Sequence, residues 1–244
     1  MELNKKDFGE FALIAHRGLH NPSVSENSLR AFSLAKDSGL AFELDVHLSK
    51  DGKLVVCHDS NLKRVSGREG YIPDLTLEEI KREYRLLDGQ EVPTLEEVLS
   101  LNQENVPMVV ELKVDKGNGD ALAKTVLSAL SQIKDKDRVS LISFHPNALK
   151  KCRNKGFSTG LLVCKEHPNV KLLSAFFDYL DVEDCLLDDP YYQKLRRKGK
   201  PINTWTVERK EQLEKIRGRV DMITFQHLEI DDVRLALEEG KDEQ

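Results

Sequence analysis

This chain has no basic surplus, no long apolar run and no paired cysteines, and each absence excludes a class of function. Its 37 Lys and Arg are outnumbered by 42 Asp and Glu, for a net charge of −5 and an isoelectric point near 5.9. A nucleic-acid-binding protein normally shows clustered positive charge, so no nucleic-acid partner is expected. No stretch approaches the roughly 20 apolar residues of a spanning helix, which argues against stable membrane insertion. The opening MELNKKDFGE also lacks the apolar core of about 7 to 15 residues that marks a signal peptide, so the expected location is cytoplasmic. Cys57, Cys152, Cys164 and Cys185 are scattered without a CxxC pair. They read as reduced, structural thiols rather than a zinc or redox site. No internal repeat, low-complexity tract or interdomain linker is evident.

With 39% hydrophobic and 32% charged residues, the composition is that of a folded globular protein. The 244 residues suit one domain spanning 1–244, since an α/β barrel occupies about 250 residues without dividing. Short apolar runs alternate with longer segments of helical pattern, the signature of βα units and a parallel sheet. Strand candidates are Phe11–Ala15, Leu40–Val46, Leu54–Cys57, Met108–Leu112, Val139–Phe144, Ser158–Val163, Asp178–Val182, Ile202–Val207 and Met222–Phe225. Asp51-Gly52 is a two-residue hairpin signal, which makes Leu54–Cys57 a returning antiparallel arm. Removing it leaves eight strands, with helices expected near 26–38, 94–103, 119–134, 146–155, 168–175, 188–199, 208–217 and 230–239. That is the count of a (β/α)8 TIM barrel. The segment of about 59–93 is too long for an ordinary loop, and Thr76 with Glu79 forms a capping-box pattern inside it. It reads as a small insertion after strand 2, over the barrel mouth.

Chemistry in a barrel sits at the carboxyl ends of the strands, and here those ends are polar. The first ends in His16-Arg17-Gly18, the second carries Glu43 and Asp45, the third barrel strand carries Glu111 and Lys113, and the seventh carries Trp205. Period-2 alternation puts Glu43 and Asp45 on one face, and likewise Glu111 and Lys113. If that face is inward, three carboxylates converge and repel, a conflict that a hard divalent cation removes; an all-oxygen set suits Mg²⁺ or Ca²⁺ rather than zinc. A lone ExD on a strand is more often a pair of solvated acids. The apolar setting of both strands favours the metal. Pairing outward from Asp51-Gly52 sets Lys50 against Lys53, Leu48 against Val55 and Asp45 against His58, which delivers a histidine beside the acids. His16, at the end of the first strand, is the second candidate proton carrier.

The stretches AHRG at 15–18, SENSLRAF at 25–32, FELDVHLSKDGKLVVCHD at 42–59, DLTLEEI at 74–80, VPTLEEVL at 92–99, VELK at 110–113, SFHPNALK at 143–150 and TWTV at 204–207 form an ordered series covering nearly the whole chain. In that series the chain resembles the glycerophosphodiester phosphodiesterase family. The resemblance implies metal ligation by Glu43, Asp45 and Glu111, acid and base roles for His16 and His58, and phosphate contacts from Arg17 and Lys113. The expected reaction is metal-dependent hydrolysis of a small-molecule glycerophosphodiester to sn-glycerol 3-phosphate and an alcohol, with Trp205 either walling the alcohol moiety or packing in the barrel. Asn27 is read as part of the helix-capping segment, with substrate orientation the lesser alternative. Ser25 departs from the proline frequent in the family, and Phe225 from its frequent Thr-Asp ending. The rival readings are a lysophospholipase D or phospholipase-type barrel acting on lipid diesters, and a non-catalytic binding barrel.

Overall fold

β-Branched and aromatic runs bounded by turn residues fold as strands when both faces can be covered, and eight runs of this sequence meet that condition around one axis. The computed structural model describes residues 9–166 and 173–238. Its strands are β1 Leu13–Ala15, β2 Ala41–Leu48, β3 Leu54–Val56, β4 Met108–Leu112, β5 Val139–Ser143, β6 Ser158–Val163, β7 Tyr179–Glu183, β8 Ile202–Val207 and β9 Met222–Phe225. All but β3 run parallel in the order β1-β2-β4-β5-β6-β7-β8-β9, and β1 pairs with both β2 and β9 to close the (β/α)8 barrel. The first strand is shorter than the pattern implies because Gly9–Phe11 forms a 3-10 turn.

The helices are α1 Leu29–Asp37, α2 Lys63–Ser66, α3 Leu77–Glu83, α4 Leu95–Leu101, α5 Gly119–Ala129, α6 Pro146–Cys152, α7 Pro190–Arg197, α8 Lys210–Ile216 and α9 Ile230–Glu238. Their starts follow capping chemistry. Ser28 accepts from the Ala31 N–H, and Thr76 with Glu79 and Thr94 with Glu97 form reciprocal capping boxes. The helix expected at 168–175 lies mainly outside the described residues.

Two apolar layers result. Inside the barrel, Phe11, Ile14, Ala41, Val109, Ile142, Leu162, Tyr179 and Met222 fill the lower part. Outside, Phe42, Leu44, Val110 and Leu112 pack against helix residues such as Phe32, Leu95, Val98 and Leu122. Each such side chain contributes roughly 1.5 to 3 kcal/mol by leaving water. The Tyr179 ring fits only because β6 carries Gly160, where an added Cβ would come within 2.2 Å of the ring.

The insertion builds a third core. Val55, Cys57, Leu62, Val65, Ile72, Ile80, Tyr84, Leu86 and Val92 close around α2, a 3-10 turn at Ile72–Asp74, and α3. This cap is fastened to the β1–α1 loop, where Asp88 accepts from the Ser25 N–H at 2.8 Å. The serine standing where the family often has proline supplies that donor, which proline would lack.

The hairpin register is not the one that two-residue pairing implies. Val46 faces Val56, His47 faces Val55 and Leu48 faces Leu54, a shift of one residue. The loop has three residues: Ser49 pairs with Lys53, the Gly52 N–H donates to the Ser49 carbonyl, and Gly52 takes φ +75°. The Ser49 hydroxyl decides the choice by donating to Asp51 and accepting from the Lys53 N–H. Cys57, Cys152 and Cys164 are free and buried, but Cys185 is exposed, so the packing role read for all four cysteines does not extend to it. Among the described residues no helix is long and apolar enough to cross a membrane.

Candidate active site

The site is assembled by three neighbouring strands and the turns that follow them. After β1 the chain reverses through Arg17 at φ +54° and Gly18 at φ +77°. Gly18 tolerates no side chain, since a Cβ there would lie 2.8 Å from the Ala31 backbone. The reversal aims the Arg17 N–H at Glu43 Oε2, 2.9 Å away. β2 contributes Glu43 and Asp45, and the β2–β4 register sets Asp45 beside Glu111. These three acids are 3%, 1% and 7% exposed, and one oxygen of each lies within 4.8 Å of the others.

Such a cluster is electrostatically unstable by itself. Burial and the charges of Asp45 and Glu111 push Glu43 well above the usual carboxylate range. Burial also raises Glu111 to about 7, against the pull of Lys113. Asp45 is equally buried, yet Lys113, His58 and Arg17 outweigh the burial and hold it well below its ordinary value. The Lys113 ammonium lies 2.8 Å from Glu111 and 3.0 Å from Asp45; burial disfavours its charge, but Asp45 and Glu111 raise its pKa all the same. Arg17 Nε is 3.6 Å from Asp45. The three carboxylates therefore face two cations, and Glu43 Oε1 is buried with no hydrogen-bond donor. A buried, donorless carboxylate oxygen beside two more acids fits a hard divalent cation.

Asn27 is not a capping residue. Ser28 caps α1, while the Asn27 amide donates to Asp45 Oδ2 at 2.7 Å and its oxygen accepts from the Asp45 N–H at 3.2 Å. Asp45 is thereby held from both its backbone and its side chain.

His58 reaches the acids by a different route from the one the hairpin pattern gave. Cys57, not His58, lies opposite Asp45 and donates its N–H to the Asp45 carbonyl. The chain then bends out of β3, and His58 falls within the electrostatic reach of Asp45 and of His16. Its Nδ1–H meets Asp59 at 2.6 Å, which leaves the lone pair on Nε2. Burial, Lys113 and Arg17 lower its pKa against the opposing charges of Asp45 and Asp59.

His16 is held in the same manner. Its Nδ1–H meets Gln226 Oε1 at 2.7 Å, and Gln226 is oriented by donating its amide to Glu208. Burial and Arg17 pull His16 down to about 3. Phe225 is buried in the outer core, so the rim position after β9 belongs to Gln226. His47 stays apart, bonded to Asp115 at 2.6 Å and to the His58 carbonyl at 3.0 Å.

The opposite wall is aromatic above and holds a neutral carboxyl beneath. Trp205 donates its indole N–H to the Asp181 carbonyl and meets Phe144 edge-to-face at 5.5 Å. Beneath lie Asp181, Asn203 and Thr224, linked through the Asn203 amide at 2.6 and 2.8 Å. Burial raises Asp181 to about 8, further than its bond from Asn203 lowers it. Sequence reasoning passed over Gln226, Asp59, Asp181 and Asn203. Only Asp59 carried a signal, by directly following a candidate histidine.

Comparison with known proteins bears on this geometry. Residues 16–231 match the model of the glycerophosphoryl diester phosphodiesterase family. A glycerophosphodiester phosphodiesterase of Caldanaerobacter subterraneus is 31% identical over 233 residues, covering 86% of this chain and 92% of that protein. Crystal structures of glycerophosphodiester phosphodiesterases from Parabacteroides distasonis and Thermotoga maritima superpose with TM-scores of 0.78 and 0.75 at 27% and 30% identity. The first alignment covers 96% of this chain and 98% of its partner, the second 92% and 96%.

Proposed function

Because the chain belongs to the glycerophosphoryl diester phosphodiesterase family and is a phosphodiester hydrolase, we propose that it cleaves glycerophosphodiesters to sn-glycerol 3-phosphate and an alcohol by metal-dependent acid–base catalysis. Glu43, Asp45 and Glu111 hold Mg²⁺ or Ca²⁺, His16 and His58 carry protons, Arg17 and Lys113 meet the phosphate, and Trp205 borders the alcohol. The observation that carries this reading is the buried Glu43 oxygen without a donor, set among three carboxylates that two cations do not neutralise.

A divalent cation held by Glu43, Asp45 and Glu111 would supply Lewis-acid stabilisation of charge on the phosphoryl oxygens. Arg17 and Lys113 add fixed positive charge at the same place, where it is effective because the site is largely dehydrated. The two histidines each give Nδ1–H to a partner and keep a lone pair on Nε2. One removes a proton from the attacking oxygen while the other, once protonated, returns one to the departing alkoxide, each worth about 10²- to 10⁴-fold. Asn27 keeps Asp45 aimed at the site throughout.

The test is a panel of glycerophosphodiesters with coupled detection of sn-glycerol 3-phosphate in the presence of metal. Turnover of several head groups is expected, and no turnover of any diester would contradict the reading. A lysophospholipase D activity would need an apolar rim. The cap exposes two large apolar side chains, Tyr71 and Leu87, too little apolar surface for an acyl chain to lie along, which favours deacylated substrates. A larger kcat/KM for a lysophospholipid below its critical micelle concentration would reverse that preference.

A further inference from the structure

An imidazole and four charged groups from three separate segments form one unbroken chain around the mouth. Asp59 takes the His58 Nδ1–H on one oxygen and the Arg64 Nε–H on the other, both at 2.6 Å. Arg64 then grips Glu26 with both terminal nitrogens, at 2.7 and 2.8 Å, and Glu26 in turn takes Arg17 Nη1 at 2.8 Å. The order His58, Asp59, Arg64, Glu26, Arg17 runs from the post-β3 bend, through the cap helix α2, to the β1–α1 loop, and its four charged members alternate in sign.

We infer that Arg64 is a positioning residue that couples the cap to the reaction, fixing His58 through Asp59 and Arg17 through Glu26. The inference rests on the catalytic reading of His58 and Arg17 given above. Arg64 is the one member of the chain contributed by a cap helix, and it uses three nitrogens at once. That is a fork geometry which a lysine ammonium cannot reproduce. Without it two carboxylates, Asp59 and Glu26, lose their shared cation. Asp59 then has no reason to hold the imidazole in one orientation, and Glu26 no reason to hold Arg17 at a fixed angle.

A packing role predicts something different. The Arg64 side chain is 48% exposed and lines an open surface cavity with Asp59, Ser60, Asn61 and Lys63, so truncating it opens no hole in the core. Exposed ion pairs contribute little to stability. Arg64 should therefore matter little to folding and considerably to turnover.

The experiment measures kcat, KM and Tm for Arg64→Ala, Arg64→Lys, His58→Ala and the His58→Ala/Arg64→Ala double variant on a glycerophosphodiester at saturating metal. Arg64→Ala should lower kcat roughly 10- to 100-fold, the usual cost of losing an orienting partner, with Tm nearly unchanged. Arg64→Lys should recover only part of kcat, and added guanidinium should partly rescue Arg64→Ala. In the His58→Ala background the further loss should shrink, because one of its two routes of action is already gone. A wild-type kcat for Arg64→Ala, or a loss that simply follows a fallen Tm, overturns the inference. If Arg64→Ala is normal while His58→Ala is inactive, only the positioning role falls. If His58→Ala itself turns over normally, the catalytic reading falls and takes the inference with it.

Discussion

Two buried aspartates in one barrel meet opposite fates. Asp45, on β2, stands among Lys113, His58, Arg17 and Asn27 and is held ionised. Asp181, across the barrel on β7, has the Asn203 amide for a partner and is raised by burial to about 8. The difference extends to the walls around them. β1, β2 and β4 bring His16, Glu43, Asp45, Glu111 and Lys113 to one side, whereas β5 to β9 supply Phe144, Tyr179, Asp181, Asn203, Trp205 and Thr224. Dehydration is common to both sides, so it does not by itself decide protonation. What decides it is whether cations and donors are fixed nearby. One half of the barrel is built to keep charge in a dry place, and the other keeps its buried carboxyl, Asp181, neutral.

The largest effects should come from the charged half. His16→Ala and His58→Ala are each expected to lower kcat about 10²- to 10⁴-fold with Tm nearly unchanged, because the proposed role of both groups is to move protons. Excess metal should not rescue them, since neither is assigned as a ligand. His47→Ala should cost far less, because His47 acts on the His58 carbonyl rather than on the reacting atoms. Steady-state kinetics on the three variants decide this, and a His47 loss as large as that of His58 would mean that the division within the charged half is misdrawn.

Crossing to the neutral half, Trp205→Ala should raise KM by roughly tenfold and leave kcat within a few-fold, as expected when an apolar contact is removed from ground and transition states alike. An equal drop in kcat and kcat/KM would instead place Trp205 among the groups that act in the transition state.

The smallest effect on activity, and the most specific to the comparison, concerns Asp181→Asn. The Asp181 pKa is raised in the folded chain, so its contribution to stability is fully present below the unfolded carboxyl value of about 3.9 and is lost as pH rises through about 8. Wild-type Tm should accordingly carry a downward component over that window, and the amide, which does not titrate, should lack it. Thermal melts of both proteins across the window provide the check. Identical pH profiles would show that Asp181 is ionised in the fold and that the neutral half is not neutral.

The charged half was also the legible half. Glu43, Asp45, Glu111 and Lys113 stand out because ionisable residues seldom occupy apolar strands, and their alternation fixes which face they share. The barrel itself was legible from eight apolar runs with helical segments between them. The neutral half gave little warning, because Asn203 and Thr224 in INTWTV and MITF look like ordinary strand residues. Gln226 lies beyond the last strand and becomes meaningful only once closure of the barrel brings it to His16, 210 positions away. The one-residue error in the β2–β3 register has a local cause. Asp51-Gly52 fits the centre of a two-residue turn or the end of a three-residue one, and side-chain bonds from Ser49 select the latter. His58 still arrives at the site, through the bend that follows β3.

The central claim is that the charged half is completed by a divalent cation held by Glu43, Asp45 and Glu111. Its most direct test is turnover of a glycerophosphodiester by exhaustively chelated protein, before and after titration with Mg²⁺ or Ca²⁺, for the wild type and Glu43→Gln. The account predicts no turnover after chelation, saturable recovery on adding metal, and recovery in Glu43→Gln only at much higher metal concentration. Full turnover by the chelated wild type would contradict it.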